Sequence, residues 1–182
     1  MRVISGSARG RRLKEPSGLD IRPTGNKVKE SIFNIIQFDI EGRRVLDLFA
    51  GSGQLGIEAL SRGAANVVFV DIKPEAVKLI RGNLQTCGFD GAAAVMARDA
   101  LRYLEGCGRF DVILADPPYG TALAAEALQR IIKFDILEAN GIMMFETGAE
   151  YMLPEVSPPY LLAKQYMYGS TKITRFERTG GV

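Results

Sequence analysis

The stretch Asp47-Leu48-Phe49-Ala50-Gly51-Ser52-Gly53-Gln54-Leu55-Gly56 constrains this chain more than any other. The apolar run at residues 43–49 leads into it, a helix-compatible run at 54–62 follows, and Asn66-Val67-Val68-Phe69-Val70-Asp71 reads as a second strand. Glycines spaced Gly51-x-Gly53-x-x-Gly56 allow a tight turn and a close approach of backbone to a ligand at a helix N-terminus. Strand, glycine loop, helix and strand make a βαβ unit, whose crossover is right-handed and whose strands are parallel. Asp71 closes the unit, placed to accept hydrogen bonds from two ribose hydroxyls.

The glycine spacing has two ligand readings. Nicotinamide and flavin enzymes seat a pyrophosphate on such a loop. Methyltransferases seat the methionine part of S-adenosylmethionine there, which carries no phosphate. Asp47 favours the second, because a carboxylate beside the loop repels a pyrophosphate and can hold an α-amino group, directly or through water. A glycine turn with no ligand is the bland alternative.

The second informative stretch is Asp116-Pro117-Pro118-Tyr119, directly after the apolar run at 110–115. Two prolines remove backbone donors and fix φ, while their carbonyls remain acceptors. A carboxylate, carbonyl oxygens and an aromatic face at the carboxyl end of a strand suit a planar ring bearing an exocyclic amine. Ligands of open α/β sheets bind at such strand ends. A stiff turn with no ligand is the competing reading.

Elsewhere the hydrophobic period alternates between helix and strand. Helices are expected at residues 27–37 (capped by Asn26, with a buried stripe of Val28, Ser31, Ile32, Ile35 and Ile36), 74–87, 100–104 and 122–133. Further strands are expected at 92–96 and 142–146, with Asn140-Gly141 as a turn. Residues 160–168 and 172–178 flank Gly169-Ser170 as a terminal antiparallel hairpin. Seven strands in this order predict a doubly wound, mostly parallel sheet. Asp99 is placed either to accept from an adenine amine or to cap the helix at 100–104.

Composition narrows the chemistry. The 182 residues suit one structural domain, and they include no histidine and only two cysteines, Cys87 and Cys107. Imidazole bases, Ser-His triads and His-ligated zinc are excluded, and no metal is expected. No apolar run is long enough to span a bilayer and the start does not read as a signal peptide, so a cytoplasmic location is expected; a monomer is a separate expectation. Residues 1–29 hold eight basic side chains against two acidic ones, while the whole chain is only +2. Arg2, Arg9, Arg11, Arg12 and Lys14 make residues 1–26 a candidate phosphate-contacting arm or hairpin ahead of a domain at 27–182. A solvated terminus is the plainer reading.

The ordered set Asp47-Leu48-Phe49-Ala50-Gly51-Ser52-Gly53, Asp71 and Asp116-Pro117-Pro118-Tyr119 resembles the class I amino-methyltransferases. The flanking stretches narrow this. Met1-Arg2-Val3-Ile4-Ser5-Gly6, Arg9-Gly10-Arg11, Arg22-Pro23-Thr24 and Lys27-Val28-Lys29-Glu30-Ser31-Ile32-Phe33-Asn34 resemble the bacterial 16S ribosomal RNA guanine-N2 methyltransferases, the RsmD family. Asn26 departs from the Asp common there. The resemblance implies a Rossmann-like fold with a short basic extension, S-adenosylmethionine as cofactor, and 16S ribosomal RNA, within an assembled or assembling small subunit, as partner. It also implies that Gly51, Ser52 and Gly53 line the methionine moiety and Asp71 binds the ribose, with Asp47, Phe49, Ala50 and Ile72 also among the cofactor-binding residues. Asp99 and Ala100 are then at the adenine, and Arg22, Pro23 and Thr24 close over the cofactor side. Asp116 borders the cofactor and, with the Pro117 carbonyl, holds the target amine; Pro118 shapes the turn and Tyr119 stacks on a flipped base. A DNA adenine-N6 methyltransferase is the nearest rival, though no recognition insert separates the motifs; a nicotinamide-dependent dehydrogenase is the rival of another class.

Overall fold

The computed structural model describes residues 1–15 and 25–180. Arg22, Pro23 and Thr24 lie outside the described residues. Helix α1 (Asn26–Ile35) precedes β1 (Arg44–Leu48), α2 (Gln54–Ser61), β2 (Asn66–Asp71), α3 (Pro74–Cys87) and β3 (Ala93–Ala97). Then come α4 (Ala100–Leu104), β4 (Phe110–Ala115), α5 (Leu123–Lys133), β5 (Leu137–Gly148), β6 (Tyr160–Tyr168) and β7 (Thr171–Arg178). The seven strands form one sheet in the order β3-β2-β1-β4-β5-β7-β6. The first five are parallel, and β7 runs antiparallel to both β5 and β6.

Strand alternation divides the core into two layers. Val45, Val67, Phe69, Val112, Leu114, Met144 and Ile173 face α1, α2 and α3. Leu46, Leu48, Val70, Ile113, Ala115, Met143, Phe145 and Phe176 face α4 and α5. The central strands are buried on both faces, as a parallel sheet covered by crossover helices requires.

Three expectations are corrected. Gly25, not Asn26, caps α1: its carbonyl accepts from the N–H groups of Val28 and Lys29, so the helix starts one residue early. The α1 stripe is wider than read, because Phe33 and Lys29 are fully buried as well. Asn140-Gly141 is not a turn between elements but an irregularity inside β5. Asn140 sits at φ 60°, the register with β4 shifts between Phe110 and Val112, and a Cβ on Gly141 would lie 2.9 Å from the Asp111 carbonyl. The left-handed residue makes a bulge and the strand resumes.

Residues 1–15 are closed on themselves and fastened to the domain. The N–H of Val3 donates to Arg11, that of Gly10 to Val3 and that of Leu13 to Met1, with an antiparallel bridge between Arg2 and Arg12. Val3, Ala8 and Leu13 enter the core, while Arg2, Arg9, Arg11, Arg12 and Lys14 stay exposed. The C-terminal half of α2 holds this hairpin. Glu58 accepts from the N–H groups of Ile4 (2.8 Å) and Ser5 (3.0 Å), and the Ser61 hydroxyl bonds Ala8 and Ser5. Gly6, at φ 81°, lies so close that a Cβ would sit 1.7 Å from the Ser61 carbonyl oxygen.

Lys29 and Glu58 are both 0% exposed. The ammonium of Lys29 donates to the Arg2 carbonyl at 2.8 Å and lies 3.7 Å from Glu58, which also accepts from Arg62 at 2.9 Å. Burial pulls the Lys29 ammonium below the ordinary lysine range, and Glu58 opposes that pull. A buried carboxylate that accepts from three donors and pairs with the Lys29 ammonium locks α1, α2 and the hairpin together. Glu58→Ala should therefore cost ~3–5 kcal/mol in urea unfolding, since it leaves the Lys29 charge buried without its counter-ion. A joint Lys29→Met and Glu58→Leu change should recover only part of this, because Ile4 and Ser5 still lose their acceptor.

Candidate active site

The strand order reverses between β1 and β4, and at such a point the loops diverge to leave a crevice. Leu48 pairs with Ala115 across it, so Phe49-Ala50-Gly51 and Asp116-Pro117-Pro118-Tyr119 leave the sheet side by side. The two stretches singled out in the sequence are neighbours, although more than sixty residues separate them along the chain.

On the β1 side the backbone is bent hard. Phe49 has φ 65°, Gly51 φ 54° and Gly53 φ 75°. The left-handed region costs a non-glycine residue about 1–2 kcal/mol, and such cost concentrates where a loop is shaped for a ligand. A Cβ on Gly51 would meet only the Phe49 carbonyl, at 4.0 Å, so the space above that turn is open. Gly56 is the opposite case: a Cβ there would lie 2.3 Å from the Phe69 ring. The third glycine thus serves close contact between helix and sheet, and the first shapes the cradle.

Asp71 fixes the loop. One of its oxygens accepts from the Gly51 N–H at 2.8 Å and the other from Lys73 at 2.9 Å. The carboxylate stays half-buried at the end of β2 beside the exposed side chain of Ile72. Asp47 lies underneath, buried, and accepts from the Gly56 N–H at 2.8 Å. Burial raises its pKa well above the usual carboxylate value; the Gly56 bond opposes this, and the charges of Asp116 and Asp71 add to it. Ser52 is also turned inward. Its hydroxyl contacts the Met1 sulfur, and its carbonyl accepts from Asn83, so this loop presents backbone rather than the serine side chain. Asn83 simultaneously exchanges two hydrogen bonds with the backbone of Lys14, coupling the basic hairpin to the glycine loop.

Asp99 caps α4, accepting from the Arg102 N–H at 2.9 Å with Ala100 buried behind it. The capping role read for Asp99 is filled by one of its oxygens. On the β4 side Asp116 is half-buried, Pro117 buried and Tyr119 42% exposed. The Pro118 carbonyl accepts from the Thr121 hydroxyl at 2.7 Å, which turns it to the start of α5. The phenol of Tyr119 donates to Glu146 at 3.0 Å and lies 3.2 Å from the Thr171 hydroxyl. Burial above all pushes the Tyr119 pKa up to about 12; the Thr171 bond opposes the shift, and the Glu146 and Asp116 charges add to it. Neither Glu146 nor Thr171 was singled out in the sequence. The one available signal was an acid at the carboxyl end of a predicted strand, Ile142-Met143-Met144-Phe145-Glu146.

The donor set fits a cationic ligand. Asp71 and Asp116 lie close enough to Asp47 to raise its pKa, and this acidic field opposes a pyrophosphate while favouring a sulfonium and an α-ammonium.

Fold and site together define a Rossmann-like methyltransferase with a terminal antiparallel hairpin. A solved structure of a candidate methyltransferase from Escherichia coli, YhhF, superposes with TM-score 0.89 at 31% identity, covering 100% of this chain and 99% of that one. The family model described as "Conserved hypothetical protein 95" matches residues 1–177. "Ribosomal RNA small subunit methyltransferase D" of Haemophilus influenzae is 36% identical over 81% of this chain and 78% of that protein. Its Escherichia coli K12 namesake is 31% identical over 98% and 90%. The Bacillus subtilis protein YlbH, named as a candidate rRNA methyltransferase, is 41% identical over 99% and 100%. The chain belongs to this family, the RsmD-type methyltransferases.

The raised pKa of Asp47 gives a signed expectation. Its stabilising share is full below the unfolded carboxylate value and is lost as pH rises through the higher native value. Asp47→Asn, which keeps an acceptor for Gly56, should therefore raise the thermal midpoint at neutral pH, with a gain that shrinks as pH falls toward 4. The same variant should weaken cofactor binding measured by calorimetry, as a stability–function trade-off predicts.

Proposed function

We propose that this protein transfers the methyl group of S-adenosylmethionine to the exocyclic N2 amine of a guanine in 16S ribosomal RNA. The observation that carries the reading is the juxtaposition of the strained glycine loop and two carboxylates, Asp47 and Asp71, with Asp116-Pro117-Pro118-Tyr119 across one crevice. The names of the Haemophilus and Escherichia relatives point to the same substrate class. Residues 1–26 act as the RNA-contacting arm and 27–182 as the catalytic domain, working in the cytoplasm on an assembled or assembling small subunit.

Bound S-adenosylmethionine supplies an electrophilic methyl group on a positively charged sulfur. The backbone of Phe49 to Gly53 cradles its methionine part, Asp71 and Ile72 take the ribose, and Asp99 with Ala100 borders the adenine. A guanine amine is a weak nucleophile because its lone pair is delocalised into the ring. Asp116 and the Pro117 carbonyl accept its two hydrogens, which draws the nitrogen toward tetrahedral geometry and localises the lone pair. The proton shed by the methylated amine passes to Asp116 or to water. Tyr119, a neutral phenol at working pH, contributes its ring face and not a base. Catalysis is then positioning plus aligned acceptors, and the base leaves its stack at a cost of a few kcal/mol, least in a loop.

Methyl transfer from labelled cofactor to unmethylated 16S RNA, to partly assembled small subunits and to DNA, read by nucleoside mass spectrometry, tests this. N2-methylguanosine from the ribosomal substrates is expected; N6-methyladenine from DNA would overturn the substrate while keeping the cofactor. Asp116→Ala should lose most turnover while keeping cofactor affinity, and near wild-type turnover would remove Asp116 from its role. Joint Arg11→Ala and Arg12→Ala should weaken RNA binding and flatten its dependence on salt by roughly 0.7–0.9 in log–log slope per lost phosphate contact. An unchanged slope would exclude the arm.

A further inference from the structure

We infer that Glu146, assisted by Thr171, is a positioning residue that sets the tilt of the Tyr119 ring and through it the pose of the target base. This rests on the reading of Tyr119 as the stacking platform. Glu146 lies near the carboxyl end of β5, 5% exposed, and Thr171 opens β7 opposite Gly148. A phenol has a single proton. With that proton committed to Glu146 at 3.0 Å, the contact with Thr171 at 3.2 Å has the threonine hydroxyl as donor. The phenol oxygen is therefore gripped from two sides by neighbouring strands of the sheet.

The grip answers a mechanical need. Tyr119 stands in a loop, after two prolines and before Gly120 at φ 74°. The residue is 42% exposed, so packing alone does not enclose it. Held only by its own side-chain torsions, the ring would sweep through a range of tilts, and a base stacked on it would follow. Asp116 has to meet the base's amine within hydrogen-bond reach, and misplacement by an ångström at such a step costs up to about a hundredfold in rate. Binding sites of this kind depend on the residues behind them to lock the contacting side chain. Glu146 touches neither base nor cofactor in this arrangement. Its effect passes through the phenol.

Two measurements on the full-length protein decide the matter, using Glu146→Leu, Glu146→Gln, Tyr119→Phe and the Glu146→Leu/Tyr119→Phe pair. The first needs no substrate. In protein labelled with 13Cζ-tyrosine, the Tyr119 resonance is the one missing from Tyr119→Phe. It should move in Glu146→Leu, where the acceptor is gone, and move back toward wild type in Glu146→Gln, which retains an acceptor oxygen. A resonance unmoved in Glu146→Leu overturns the anchor. The second is single-turnover methylation of 16S RNA with cofactor affinity measured alongside. Glu146→Leu and Tyr119→Phe should each slow the methyl-transfer step ~10–100-fold at unchanged cofactor affinity, the pair should be no slower than the worse single variant, and Glu146→Gln should recover most of the loss. Multiplying losses in the pair, or a full rate in Glu146→Leu, overturns the proposal. The two readings fail separately: a wild-type protein that methylates no RNA sinks the proposed function, and an unmoved resonance sinks the anchor.

Discussion

The contact between Gly56 and the Phe69 ring is the constraint on which the rest of the architecture turns. Any side chain there would meet the ring or Val67 at well under van der Waals distance, so α2 lies as near the sheet as a helix backbone can. That closeness brings the Gly56 N–H down onto Asp47 in β1 and lets the chain leave β1 and enter α2 in a few residues. The compressed turn is what demands positive φ at Phe49, Gly51 and Gly53. Strain in the loop and intimacy of packing are two sides of one geometric fact.

Because α2 is fixed at its first turn, its far end becomes a mounting point. Glu58 and Ser61 hold the N-terminal hairpin, and Lys29 on α1 completes the junction. Asn83 closes a second route, from Lys14 of the hairpin to Ser52 of the glycine loop. The basic side chains of residues 1–15 are therefore offered to solvent from a frame that is continuous with the glycine loop. A phosphate chain gripped by those arginines would be registered against the site by rigid contacts rather than by a loose tether.

What the sequence made legible follows from which forces are local. The β1–glycine loop–α2–β2 unit was readable because turn geometry and strand burial both leave a local pattern, and α3, α4, β2, β4 and β6 were placed with their observed limits for the same reason. The Lys29–Glu58 pair was not readable, since a lysine and a glutamate on two helices look like solvated charge until the hairpin covers them. The extra length of β5 was hidden because Asn140-Gly141 has the signature of a turn, and only pairing with β4 converts it into a bulge. Asp99 had two readings with the same local pattern, and the geometry of α4 filled the capping one. In the site itself, Asp116 and Tyr119 were visible as a motif, whereas Glu146 and Thr171 matter only because two other strands bring them to the same phenol.

That last point explains the terminal hairpin. In a parallel sheet only the carboxyl ends of strands reach the crevice, so each strand delivers residues there from its finish. An antiparallel β7 delivers its beginning, and Thr171 arrives beside Glu146 from the opposite chain direction. A further parallel strand in that position would have pointed its first residues at the far end of the molecule and would have needed a crossover helix to get there. The antiparallel β7 thus provides a second polar contact to the Tyr119 phenol on a rigid element. The departure from dinucleotide-binding topology has a structural result: it brings polar groups from two neighbouring strands to the Tyr119 phenol, which a further parallel strand could not do.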